Sequence, residues 1–163
     1  MGAEMNELNP GVRPLGDTDL EYVIAIDQAH TGRARRRFFE KRFRAAQLRR
    51  DDFIHLGVDS NGVLIGFACA RILQGEFGRE EPIVELDAVG VDPRSQAHGY
   101  GHALLRGLAK VMQDRDVREL HSQAEWTSHE LLQFFDSAGF ELAPRMILER
   151  SVGEPLAEPI EDL

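Results

Sequence analysis

Apolar residues recur along the chain with two different periods, and the alternation of those periods predicts the order of elements. Leu104, Leu105, Leu108, Val111 and Met112 fall at three- and four-residue steps, as do Phe38, Phe39, Phe43 and Ala46. That spacing lays side chains along one stripe of a helix. A third stripe carries Leu131, Leu132, Phe134, Phe135 and Ala138, with Thr127 and Glu130 placed as a capping box and Gly139 as its stop. Between the helices lie strand patterns. "FIHLGVDSNGVLIGFACARIL" predicts two strands around a turn at Ser60, Asn61 and Gly62, the strongest hairpin signal in the chain. "IVELDAVGV" follows a charged, Gly-rich loop and is ended by Asp92 and Pro93; "ELHSQAE" and "RMILERSV" predict two further strands. Near the start, "VRPLGDTD" predicts a short strand running into a helix capped by Asp17 or Thr18. The interleaving implies an α/β (α+β) fold with helices on both faces of a mixed sheet. No repeat or long linker divides it, so residues 1–163 are expected to form one domain, with loose tails at about 1–9 and 153–163.

Composition narrows the class without fixing the function. The chain of 163 residues, 42% hydrophobic and 29% charged, suits a soluble domain that needs no disulfide or metal to be stable. Cys69 is the single cysteine and sits inside an apolar run, so a buried, inert thiol is expected rather than a nucleophile. Zinc and disulfide frameworks are excluded by count. No apolar run approaches the roughly 18 residues of a membrane span. The first residues carry no secretory pattern, and Asn6 stands where a myristoylation signal needs Ser or Thr. A cytoplasmic protein without a membrane partner is expected.

The net charge of −9 conceals an asymmetry. Residues 33–50, "RARRRFFEKRFRAAQLRR", hold nine of the 19 basic residues and a single acidic one, Glu40. The acidic remainder disfavours nucleic acid and attracts cations. The arginines of the basic helix are expected to pair with that remainder or stay in water, with a polyanion site or one wall of a substrate groove as alternatives.

The stretch "VDPRSQAHGYGHALL" puts two glycines after a strand and directly before a helix. A helix beginning at Gly99 to Gly101 offers free backbone N–H groups and a positive dipole end, which suits an anion, phosphate above all. Leu104 occupies the place of the third glycine of a dinucleotide fingerprint, and no lysine follows the glycines as a P-loop requires.

Val91, then Gln96-Ala97-His98-Gly99-Tyr100-Gly101, then an apolar helix and, about 30 residues later, "LLQFFDSAGFE", resembles the GNAT superfamily of acetyltransferases. The resemblance is specific from Ile83 to Glu141. It implies a mixed, mostly antiparallel central sheet, acetyl-CoA as cosubstrate and no metal. It also implies that Val89, Gly90 and Val91 contact the thioester and pantetheine through the backbone. Gln96, Ala97, His98, Gly99, Tyr100, Gly101 and His102 would bind the diphosphate. Ser128 and Phe135 take places near the cofactor in that family. Two departures stand out. His98 replaces a usual arginine, and Phe135 replaces a tyrosine that serves many members as general acid. Some protein-lysine acetyltransferases of the superfamily also lack this tyrosine and rely on a glutamate 11 residues before the motif glutamine, which here is Glu85.

Acyl transfer to an amine requires the amine neutral, and a lysine-type amine with pKa about 10.4 is almost wholly protonated at pH 7. A general base is therefore valuable. Strand alternation would place Glu85, Asp87, Val89 and Val91 on one face and Leu86, Ala88 and Gly90 on the other. Two carboxylates on one face of a central strand must line a cleft or meet partners, since burying one unpaired costs several kcal/mol. Glu85 as base, Asp87 as base, and both as structural partners of the 33–50 arginines remain open, with His121 and Glu125 as runners-up. The leading expectation is an acetyl-CoA-dependent N-acetyltransferase acting by direct attack of a primary amine, either a small molecule or a protein lysine or N-terminal amine. The alternative is a non-catalytic acyl-CoA-binding sensor or partner module of the same fold. A homodimer is possible on either reading.

Overall fold

The computed structural model describes residues 11–153. Five strands form one sheet in chain order: β1 (Val12–Pro14), β2 (Phe53–Ser60), β3 (Val63–Leu73), β4 (Ile83–Val91) and β5 (Leu120–Ser122). β1 to β4 pair antiparallel, and β5 joins β4 in parallel. The helices are α1 (Leu20–Thr31), α2 (Arg36–Leu48), α3 (Tyr100–Asp114) and α4 (His129–Ser137). Parallel neighbours need a crossover, and α3 supplies it between β4 and β5. The β2–β3 hairpin closes where Ser60 faces Val63, with Asn61 and Gly62 both at positive φ (51° and 76°). That backbone twist matches the strands, which is why Asn-Gly specifies the turn. Among the described residues no helix is long and apolar enough to cross a membrane.

Each face of the sheet carries its own core. Leu104, Leu105, Leu108 and Met112 of α3, with Phe135 of α4, bury against Ile54, Leu56, Val58, Ala68, Ala70, Val84 and Leu86. Val23, Ile24 and Ile26 of α1, with Phe39 and Phe43 of α2, cover Leu64, Phe67, Cys69 and Ala88 on the opposite face. Cys69 is fully buried there, and burial pushes its thiol pKa up, so it is held protonated.

A register shift corrects the simple alternation on β4. Cys69 faces Ala88 while Ala70 faces Leu86, so Asp87 is an extra residue without a partner on β3. Such a bulge reverses the parity of the strand. Val84 and Leu86 point to the α3 side and Ala88 to the α1 side, while Val89 and Val91 pack against the α3-side core. Val89 and Val91 therefore do not share a face with Glu85 and Asp87.

Four further expectations need correction. The first helical segment is capped at neither Asp17 nor Thr18. Residues Asp17–Asp19 form a 3₁₀ turn whose cap is Gly16, and the Asp19 carboxylate accepts the Gly16 N–H at 2.7 Å and two bonds from Arg13. Those bonds, Arg13 first, hold the Asp19 carboxyl below its ordinary range. α4 begins one residue later than expected, with Ser128 at its cap and no side-chain capping bond, so the Thr127–Glu130 box is not formed. Gly139 does close that helix, at φ 84°. β5 spans three residues of the expected seven. Finally, residues 145–152 form no strand: Met146, Ile147, Leu148 and Val152 are exposed. Strand stability comes from cross-strand pairs, and three-residue β5 offers few, while Pro144 removes a donor at the start of the segment. The expected tails at 1–9 and beyond 153 lie outside the described residues.

His55, on β2 between Phe43 and Phe53, is largely buried. Burial, reinforced by the charge of Arg42, pushes its pKa down to about 4. The unfolded chain therefore takes up a proton below about pH 6.5 that the folded chain refuses until about pH 4, and stability falls as pH drops through that window, by about 3 kcal/mol in all. Urea unfolding of wild type and His55→Phe between pH 7 and 4 checks this. The difference between the two curves should shift in favour of the variant as pH falls.

Candidate active site

The central opening comes from the short pairing of β5. β4 and β5 are matched only from Val84–Leu86 to Leu120–Ser122, and the Ser122 hydroxyl donates to the Leu86 carbonyl at 3.0 Å at the last rung. β4 continues to Val91, so beyond Leu86 its outer backbone edge has no strand partner among the described residues. An unpaired edge inside a protein accepts an extended, amide-bearing ligand as it would a strand. At its end the His30 imidazole, from α1, donates to the Val91 carbonyl at 2.5 Å.

β4 leads into the glycine joint. The Asp92 carboxylate accepts the Arg94 N–H at 2.9 Å and pairs with its guanidinium at 3.0 Å, which fixes the turn and holds the Asp92 carboxyl below its ordinary range. Ala97 and Gly99 then take positive φ (64° and 80°). Gly99 caps α3 without any side-chain bond, and the first closing bond is Ala103 N–H to Gly99 O, 2.9 Å. The N–H groups of Tyr100, Gly101 and His102 therefore have no intrahelical acceptor and point out of the helix end. Gln96, Ala97, His98 and Gly99 are exposed around them, and the His98 ring lies 6.2 Å from that of Tyr100.

The two glycines have different reasons. A Cβ on Gly99 would meet nothing within 4 Å, but its φ is left-handed. A Cβ on Gly101 would come 2.8 Å from the Phe134 ring. The absence of a side chain at Gly101 thus serves the contact of α3 with α4. His102 takes part in the same contact, through Ser137 at 3.0 Å.

Glu85 and Asp87 lie on the α2 side of β4, tied together by Arg71 of β3. Arg71 donates to Glu85 Oε2 at 3.2 Å and to Asp87 Oδ1 at 3.3 Å. Arg42 of α2 lies 3.4 Å from Asp87 Oδ2, an ion-pair contact without hydrogen-bond geometry, since that buried oxygen has no hydrogen-bond partner. Gln123 reaches Glu85 Oε1 at 3.5 Å. Of the two, Glu85 is the more open, with 17% of its side chain exposed against 9% for Asp87. Pairing with the 33–50 helix therefore holds for Asp87, while Glu85 pairs with a strand arginine that sequence reasoning passed over. Arg71 faces Glu85 directly in the β3–β4 register, so hairpin counting was the signal that could have found it. His30 had no such signal, because its contact spans 61 residues.

The remaining predicted residues are spread around this opening. His121 pairs with Glu119 at 2.9 Å, an interaction with Arg79 and His121 that keeps the Glu119 carboxyl below its ordinary range. Glu125 and Ser128 follow on the segment between β5 and α4. Phe135 is buried, 4.7 Å from the Phe140 ring.

Residues 20–140 match the Acetyltransferase (GNAT) family. The chain belongs to this family. Mycothiol acetyltransferase of Propionibacterium freudenreichii subsp. shermanii is 28% identical over 151 residues, covering 88% of this chain, which spans only 45% of that relative. The fold also matches an aminoglycoside acetyltransferase from an uncultured soil metagenomic sample, solved with sisomicin (TM-score 0.68, 16% identity, 86% of this chain and 94% of that one). Another match is the aminoglycoside acetyltransferase AAC(6')-Iy with a CoA-linked bisubstrate analogue (TM-score 0.67, 22% identity, 86% and 96%).

The glycine assignments separate experimentally. Gly101→Ala should lower stability by about 1–3 kcal/mol, because the Phe134 ring must move. Gly99→Val should cost about 1–3 kcal/mol of backbone strain at the loop itself and weaken anion binding at the helix end far more than Gly101→Ala does. Chemical denaturation and calorimetric titration with CoA on both variants give the comparison.

Proposed function

We propose that this GNAT protein transfers an acetyl group from acetyl-CoA to a small primary amine, with Glu85 as general base. The observation that carries the reading is the placement of two carboxylates on the same strand whose outer edge opens beyond Leu86 and ends at the uncapped start of α3. The cosubstrate fits this frame: the N–H groups of Tyr100, Gly101 and His102, with the Gln96–Gly99 loop, would hold its diphosphate, and the free β4 edge at Val89–Val91 its amide-bearing arm. When bound, acetyl-CoA supplies a thioester carbonyl as acyl donor.

The chain's own residues supply the rest. Glu85 accepts a proton from the incoming ammonium, directly or through water, and leaves the amine lone pair free for attack. Arg71 anchors one oxygen of each carboxylate and so sets the orientation of both. Asp87 adds negative charge that draws a cationic substrate, as does the net charge of −9. Phe135 donates no proton and is buried in the core, so the thiolate leaves without an acid from that position. A small amine is preferred because the mycothiol and aminoglycoside acetyltransferases among the relatives are named for small molecules.

Glu85→Gln keeps shape and removes the base. It should lower kcat about 10²-fold with acetyl-CoA affinity retained, and flatten the acidic limb of the pH–rate profile. Asp87→Asn should cost less. Thiol release across a panel of amines measures both, and a Glu85→Gln enzyme with wild-type rate and pH profile would place the base elsewhere.

A further inference from the structure

Residues 141–152 lie outside both cores. Leu142, Met146, Leu148 and Val152 are 87–100% exposed, and Ile147 is 71% exposed. Single exposed apolar residues are ordinary, but five within eleven consecutive positions form a patch that calls for a cover. Among the described residues the segment makes a single backbone–backbone hydrogen bond, from the Arg145 N–H to the Ala143 carbonyl at 2.8 Å.

The sequence of the segment alternates as a strand does. In extended form Leu142, Met146, Leu148 and Val152 share one face, and Arg145, Ile147 and Glu149 share the other. β5 is a poor partner for it, because its three residues match three rungs at most and leave the rest of the segment in water. A second copy of the segment is an edge of matching length.

Two copies are complementary when they run antiparallel about an axis through Ile147. Arg145 of each then lies opposite the partner's Glu149, giving two opposite-charge pairs, while Met146 faces Leu148 and Leu142 faces Val152. Pro144 decides which rungs carry hydrogen bonds, because it has no N–H to give. It falls opposite Arg150, which suits a non-hydrogen-bonded rung. Alternation then makes Ile147–Ile147, Arg145–Glu149 and Ala143–Ser151 the bonded rungs. The apolar pairs fall on the rungs between them, where side chains approach most closely. Any other register separates Arg145 from Glu149, and a shift of one rung sets Arg145 opposite Arg150.

We propose that residues 142–152 form the interface of a homodimer, in which the segments of two copies pair as antiparallel strands about a two-fold axis through Ile147. Each copy presents the same surface, as a closed two-fold pair requires. In forming it the Arg145 N–H exchanges the Ala143 carbonyl for the carbonyl of the partner's Glu149.

Sedimentation velocity of the full chain over a hundredfold range of concentration tests the pairing. A monomer–dimer equilibrium is expected. Glu149→Lys and Arg145→Glu each set like charges opposite one another on both sides of the axis, and each should weaken the dimer about tenfold. An equimolar mixture of the two variants should recover it, because one chain then offers two cations and its partner two carboxylates at the facing rungs. Both positions are exposed, so neither change disturbs a core. A segment that docks on its own sheet instead would leave a monomer at every concentration, and that result would overturn the proposal. So would a dimer that neither variant weakens or that the mixture fails to restore.

Discussion

One extra residue on β4 organises the site. Because Asp87 has no partner on β3, the strand changes parity at that point, and two carboxylates reach the α2 side while Val89 and Val91 turn to the α3 side. The same strand parts from β5 just beyond Leu86. Acidic chemistry and open backbone edge are thus placed on neighbouring stretches of one strand, on opposite sides of the change in parity.

The basic helix is best understood from the same constraint. Asp87 is nearly buried and needs positive partners, which Arg71 and Arg42 provide from the neighbouring strand and from α2. Arg35 forms two bonds to buried Asp27 at 2.6 and 2.8 Å and lies over the rings of Phe38 and Phe39. Removing one partner of such a pair strands the other charge away from water. Arg36, by contrast, meets Glu21 in solvent, where a pair is worth about 0–1 kcal/mol. The charge asymmetry of the chain is therefore partly internal: arginines of one segment answer carboxylates of α1 and β4.

What could be read from the sequence was what local periodicity encodes. The Asn61-Gly62 hairpin, the α3 stripe and the end of β4 at Asp92-Pro93 each depend on neighbours a few residues apart, and each is found as expected. The glycine joint was legible as a helix start for the same reason. Long-range register was not. No residue type marks Asp87 as the extra one, so alternation carried the faces of Val89 and Val91 to the wrong side. The packing of Gly101 against Phe134 was not legible, because the two lie 33 residues apart. The strand expected at 145–152 had the right pattern, but a pattern needs an edge long enough to pair with.

The proposed acetyl transfer requires the free β4 edge and the α3 start to form one continuous cradle for acetyl-CoA. Backbone amide NMR during an acetyl-CoA titration addresses it directly. The amides of Val89–Val91 and of Gly99–His102 should shift together, saturate at one dissociation constant and gain protection from hydrogen exchange. Shifts confined to other segments, or two groups titrating with different constants, would contradict a single cradle spanning strand and helix.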